Sequence, residues 1–115
     1  FDVVLTTYGT VSSELMKKEA NCQAAAGTGG SLAGATGLLG VRWRRVILDE
    51  AHSIRNINTD QSRACLELEA SRRWAVTGTP IQNSLDDAAA LLAFLRHEPW
   101  SDRGWWRRVI GDPYK

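Results

Sequence analysis

Two short apolar runs end abruptly in polar groups: Val46-Ile47-Leu48 stops at Asp49-Glu50-Ala51-His52, and Trp74-Ala75-Val76 stops at Thr77-Gly78-Thr79-Pro80. β-Branched and aromatic residues fit a pleated surface, and an unbroken apolar run suits a strand buried on both faces. Between the two runs, Asp60 to Glu69 places Ala64, Cys65 and Leu68 at helical spacing. Parallel strands need a crossover that is usually a helix, so strand, helix and strand in this order predict a parallel pair. The expected fold class is α/β, a three-layer parallel sheet with helices on both faces.

The other segments extend that pattern. Val3-Val4-Leu5, closed by Thr6, Thr7, Tyr8 and Gly9, predicts a further buried strand, and Val11, Leu15 and Met16 follow at helical spacing. From Ala20 to Gly40 the chain turns to Gly, Ala, Ser and Thr without periodicity, which predicts a flexible surface insertion. The Gly27-Thr28-Gly29-Gly30 stretch inside it lacks the Gly-Lys-Ser/Thr ending and the preceding strand of a phosphate-binding loop. Ser84 begins a helix whose first turn carries Asp86 and Asp87, favourable at the positive end of the helix dipole. Its apolar stripe is Leu85, Ala88, Ala89, Leu92, Phe94 and Leu95, and Pro99 stops it.

Composition narrows the function classes. An apolar fraction of 43% over 115 residues suffices for a packed core, and a net charge of +1 neither requires nor excludes a nucleic-acid partner. Cys22 and Cys65 are far apart, with no histidine at ligand spacing, which argues against a zinc site and a disulfide framework and for a reducing compartment. No apolar run approaches the ~20 residues needed to cross a bilayer, so no membrane partner is expected. The chain starts at Phe1 and ends at Lys115 without a polar tail, so an internal fragment of a longer protein is expected.

In a parallel sheet, ligands bind beyond the carboxyl ends of the strands, where both polar stretches lie. Asp49 offers the hard oxygen that magnesium takes while keeping several waters and the phosphates of a nucleotide. Glu50 directs a second carboxylate elsewhere, suited to orienting and deprotonating an attacking water. His52 is placed to couple these acids to a neighbouring loop, and the hydroxyls and amide of Thr77, Thr79 and Gln82 suit a sensor of nucleotide state. Acids at a strand end also serve as solvated turn residues, and Thr-Gly-Thr-Pro also serves as an ordinary turn. The two signals in order, each at a strand end, favour chemistry.

The runs DVVLTTY, WRRVILDEAHSIRN and RRWAVTGTPIQNSLDD, with DRGWW beyond them, resemble successive motifs of the first motor lobe of Swi/Snf-related DEAH-box ATPases. Within that family the likeness is to the helicase-like transcription factors and their DNA-damage-tolerance relatives. It covers nearly the whole chain outside the Ala20 to Gly40 insertion, so residues 1–115 are expected to form part of a RecA-like, helicase-type ATP-binding lobe. The resemblance implies ATP and Mg2+ as cofactors, with Asp49 and Glu50 as metal and water residues. It makes His52, Thr77, Gly78, Thr79 and Gln82 the coupling elements, and Thr6, Thr7 and Tyr8 the loop near DNA. It further implies double-stranded DNA, nucleosomes or stalled forks as partners, a second motor lobe in the same protein, and a nuclear location. The lysine-bearing phosphate loop is absent from these residues, so the fragment alone is not expected to turn over ATP. Two other readings remain: a non-hydrolysing chromatin scaffold, and a ubiquitin ligase that uses the lobe to find DNA and carries a zinc-binding RING elsewhere.

Other residues carry weaker signals. Arg42, Arg44 and Arg45 around Trp43 are expected as a solvated lead-in to a strand rather than a basic patch. Trp100, Trp105 and Trp106 beside Arg103, Arg107 and Arg108 are expected to pack with the arginines exposed, rather than to stack bases. His97 is expected to favour a helix C-terminus, and Cys65 to act as a small buried apolar residue.

Overall fold

The computed structural model describes residues 2–27 and 37–113, organised on two parallel strands. Strand β1, Trp43–Leu48, pairs with β2, Ala70–Ala75, in a register that sets Val46 beside Arg73, Ile47 beside Trp74 and Leu48 beside Ala75. The crossover carries a 3-10 turn at Ala51–Ile54 and helix α2, Asp60–Glu67, as the strand-helix-strand order predicts. Helix α3, Leu85–Leu95, follows β2, and a short α4, Arg103–Trp106, runs into a π-helical turn at Arg107–Gly111.

Apolar residues gather on one face of the sheet. Leu48, Ala51, Ile54, Cys65, Leu91 and Phe94 form one core cluster, with Tyr8, Val46 and Ala75 packed against it. A second cluster joins Val11 and Leu15 of helix α1, Tyr8–Ala26, to Leu39, Ala64 and Leu68, and Val46 touches both clusters. Burial pushes the Cys65 thiol up to about 11, so this side chain is the inert apolar residue expected. Ser62 is a polar residue in the core: its hydroxyl lies 3.1 Å from the Ile54 carbonyl and 2.6 Å from that of Asn56, tying α2 to the turn after β1.

Four expectations change. Val3, Val4 and Leu5 form no strand; Val3 and Leu5 are exposed, and a cavity of about 360 Å³ lies between this segment and β1. A strand needs a ladder partner as well as apolar residues, and among the described residues this segment has none. Consequently the sheet has two strands, and its far face, with Ile47 and Trp74 about half exposed, is uncovered among the described residues. The segment expected to be irregular from Ala20 to Gly40 begins as helix: α1 continues through Ala26, since Ala20, Ala24, Ala25 and Ala26 have high helix propensity, and stops at Gly27. Gly37–Gly40 is a 3-10 turn that buries Leu39, and the Gly-Thr-Gly-Gly stretch lies mostly outside the described residues. Gly37 has φ of 68°, and a Cβ there would sit 2.7 Å from the Glu14 carboxylate, which accepts the Leu38 N–H.

The third change concerns β1, which includes Arg44 and Arg45 within the strand, with the Arg45 guanidinium 5.3 Å from the centre of the Trp74 ring. The fourth concerns α3, which ends at Leu95, earlier than Pro99, because Arg96 takes the left-handed conformation at its C-cap. Arg96, not His97, therefore occupies the negative end of the helix, and it donates to the Leu66 carbonyl. The tryptophans behave as expected in one respect: Trp106 is buried and Arg103, Arg107 and Arg108 are exposed. Trp100 and Trp105 meet edge-to-face at 84°, which is a packing pair and not a flat stacking platform.

Phe94 is fully buried in the main cluster, and the Arg73 guanidinium lies 5.3 Å from its ring centre. Phe94→Ala is expected to lower stability by about 3–5 kcal/mol, read as a shift of the urea midpoint at unchanged slope.

Candidate functional site

Parallel pairing brings both polar stretches to one end of the sheet. Beyond the last paired residues, the Val76 N–H donates to the Leu48 carbonyl at 2.8 Å and the Ala51 N–H donates to the Val76 carbonyl at 2.9 Å. The acids after β1 and the loop after β2 are thereby fixed side by side. Asp49 is exposed, and its Oδ1 accepts the Glu50 N–H at 3.0 Å. Glu50 takes φ of 48° and ψ of 50°, a left-handed conformation costing a residue with a Cβ roughly 1–2 kcal/mol. Such strain persists where surrounding structure over-determines it, and it concentrates at functional turns.

The polar side chains form a continuous string. His52 Nδ1 lies 3.2 Å from Glu50 Oε2 and 3.4 Å from Thr77 Oγ1. Thr77 Oγ1 accepts the Thr79 N–H at 3.2 Å, and Thr79 Oγ1 accepts from Gln82 Nε2 at 3.2 Å. Gln82 in turn accepts through Oε1 from Arg55. Glu50, His52, Thr77, Thr79 and Gln82 are thus brought together, although most of the string is solvent-exposed and its members interact in high dielectric. Gly78 has open space where a Cβ would sit and no unusual φ, so nothing local demands glycine there.

Among the described residues, no group of three His, Cys, Asp or Glu side chains converges on a point that could hold a metal. An all-protein metal cage is therefore not the geometry. Asp49 fits the alternative, a single carboxylate that leaves most coordination positions to water and phosphate, since its remaining oxygen is uncommitted to any cation among the described residues.

Two residues play parts that the sequence did not signal. Arg55 holds the side chain of Gln82, a pairing between distant positions that no local pattern announces. Asp87, expected as a charge near the helix start, is buried and accepts the N–H groups of Gln82 and Asn83 at 3.0 and 2.9 Å through Oδ2. Ser84 is the N-cap of α3 by backbone geometry but makes no side-chain capping bond, so Asp87 anchors the loop in its place. The bonds from Asn83 and Gln82, with smaller help from Ser84 and Arg55 and against the cost of burial, hold the Asp87 carboxyl below its ordinary value of 3.8.

The three residues expected near DNA divide. Thr6 is exposed. Thr7 caps α1: its Oγ1 accepts the Thr10 N–H at 3.2 Å and lies 3.0 Å from Thr10 Oγ1. Tyr8 turns inward, and its hydroxyl donates to the Asp49 main-chain carbonyl at 2.6 Å. Burial, followed by the charges of Cys65, Asp49 and Glu50, pushes the phenol up to about 12, so it stays a donor at neutral pH.

Because the folded carboxyl of Asp87 titrates below its unfolded counterpart, its stabilisation is present above 3.8 and is lost as pH falls through the depressed folded value. Asp87→Ala is expected to cost about 1–3 kcal/mol at neutral pH and to reduce the acid sensitivity of stability. It should also speed amide exchange at Gln82 and Asn83, both read by denaturation across pH and by hydrogen exchange.

The family profile of the SNF2-related domain matches residues 1–115. The helicase-like transcription factor of Oryctolagus cuniculus is 47% identical over 112 residues, covering 97% of this chain and 10% of that protein. DNA repair protein RAD5A of Arabidopsis thaliana is 43% identical over 114 residues, covering 99% of this chain and 10% of that protein. DNA repair protein RAD5 of Candida glabrata is 46% identical over 116 residues, covering 98% and 10%. The chain spans about a tenth of the length of these relatives. With the profile matched along all 115 residues and relatives of this similarity aligned along nearly all of them, the chain belongs to the SNF2-related, Swi/Snf family.

Proposed function

We propose that this chain is the metal- and water-handling part of the ATP-binding lobe of a Swi/Snf-type, DNA-dependent ATPase, one that uses hydrolysis to move along double-stranded DNA. The observation that carries the reading is the pair of carboxylates at the end of β1, linked through His52 to the loop after β2. A three-layer RecA-like lobe would cover the far face of the sheet, which agrees with the exposed Ile47 and Trp74.

Each residue then has a defined task. Asp49 would supply one carboxylate oxygen to the Mg2+ of a bound nucleotide, an ion whose contribution there would be to offset the phosphate charge. Glu50 orients a water and accepts its proton, a role suited to a carboxylate that is exposed and held in direction by His52 Nδ1. His52 faces both Glu50 and Thr77, so a change at Glu50 is felt by Thr77, Gly78, Thr79 and Gln82. Thr6 and Thr7, at the exposed start of α1, lie near the DNA backbone in this reading.

DNA repair is named in the Arabidopsis and Candida relatives, and another Arabidopsis relative, 44% identical over 113 residues, is described as a putative regulator of chromatin. We accordingly place the protein in chromatin remodelling or DNA repair, in the nucleus, with a second motor lobe completing the ATP site.

ATP hydrolysis by the full-length protein, with and without double-stranded DNA, tests the reading. Wild-type turnover is expected to rise with DNA, and Glu50→Gln is expected to lower it by about 10²- to 10⁴-fold while ATP binding persists. Unchanged turnover in the variant removes Glu50 from the chemistry. Absence of turnover in the wild type with any DNA favours a non-hydrolysing scaffold.

A further inference from the structure

The peptide unit between Asp49 and Glu50 is held at both polar ends. Its carbonyl accepts the Tyr8 hydroxyl at 2.6 Å, and its N–H donates to Asp49 Oδ1 at 3.0 Å. The orientation of this peptide sets φ of Glu50, which is 48° and therefore left-handed. Rotating the peptide toward the ordinary region would swing the Glu50 carboxylate away from His52 Nδ1, now 3.2 Å from it.

The two restraints differ in stiffness. Asp49 is exposed, and in the proposed reading its carboxylate also serves a metal ion, so its bond to the Glu50 N–H has a competitor. Tyr8 comes from outside the turn, on the first residue of α1, and its ring is packed against the cluster of Leu48, Ala51, Ile54, Cys65 and Phe94. Packing of this half-buried ring against the cluster restricts where its hydroxyl can go.

We infer that Tyr8 is a positioning residue for hydrolysis: through the Asp49 carbonyl it keeps the acidic turn in the conformation that aims Glu50, and it fastens that turn to the start of α1. The inference rests on the proposed ATPase reading. It also reassigns Tyr8 from the DNA contact expected from the resemblance, because its hydroxyl is engaged inside the protein.

The test is Tyr8→Phe in the full-length protein, which keeps the ring and removes the hydroxyl. A fall in kcat of roughly tenfold is expected, with KM for ATP and DNA affinity within about twofold of wild type. Amide exchange at Glu50 and Ala51 in the nucleotide-free protein should become faster. Unchanged kcat with unchanged exchange overturns the proposal, and so does weaker DNA binding at unchanged kcat, which would restore Tyr8 as a DNA contact. Absence of turnover in the wild type defeats the hydrolytic reading itself; faster exchange in the variant then still supports the hold on the turn, and unchanged exchange removes that too.

Discussion

The Leu48 carbonyl receives the Val76 N–H, and the Val76 carbonyl receives the Ala51 N–H, one step past the last paired residues of the two strands. Without this continuation of the ladder, the acids and the Thr77 to Gln82 loop would be two unrelated surface turns. With it, they share one end of a parallel sheet, and His52 is left between them within reach of both Glu50 and Thr77. Backbone bonds carry the arrangement because the side chains here are too exposed for their own attractions to hold it, exposed ionic contacts contributing about 0–1 kcal/mol.

Stability and function are separated in space. Phe94, Ile54, Cys65 and Ala64 are at most 1% exposed and pack below the strand ends, while Asp49 and Glu50 lie above them in solvent. The strained φ of Glu50 is borne by this division: a rigid core below, reached by the Tyr8 ring, restrains a turn that would otherwise relax. Asp87 does the equivalent for the second loop, gathering two backbone N–H groups onto one buried carboxylate oxygen.

The polar edge of α1 adds a further tie. The apolar contact of Val11 and Leu15 with Ala64 and Leu68 holds α1 against α2, and the exposed ion pairs of Lys18 with Glu67, at 2.9 Å, and of Arg63 with Glu19 flank it. Tyr8, the first residue of the same helix, reaches the acidic turn, so α1 is joined to it by a hydrogen bond as well as to α2.

What could be read from the residues alone was local and periodic. The strand at Val46–Leu48, the one expected at Trp74–Val76 and found at Ala70–Ala75, the helix from Asp60, the helix after Ser84 and the polar groups at the strand ends follow largely from side-chain type and spacing, because those features act within a turn or a pleat. The rest required partners far along the chain. Val3–Leu5 has strand composition but no ladder among the described residues, since pairing depends on a neighbouring backbone and not on apolarity. Tyr8 reads as part of a surface loop in the sequence, yet its ring packs against the core and its hydroxyl meets a carbonyl 41 positions away. Arg55 with Gln82, and the left-handed Glu50, are likewise consequences of two strands lying parallel. The sequence determined which groups were available for chemistry, and the tertiary structure decided which of them face one another, because hydrogen bonds are decided by distance in space and not along the chain.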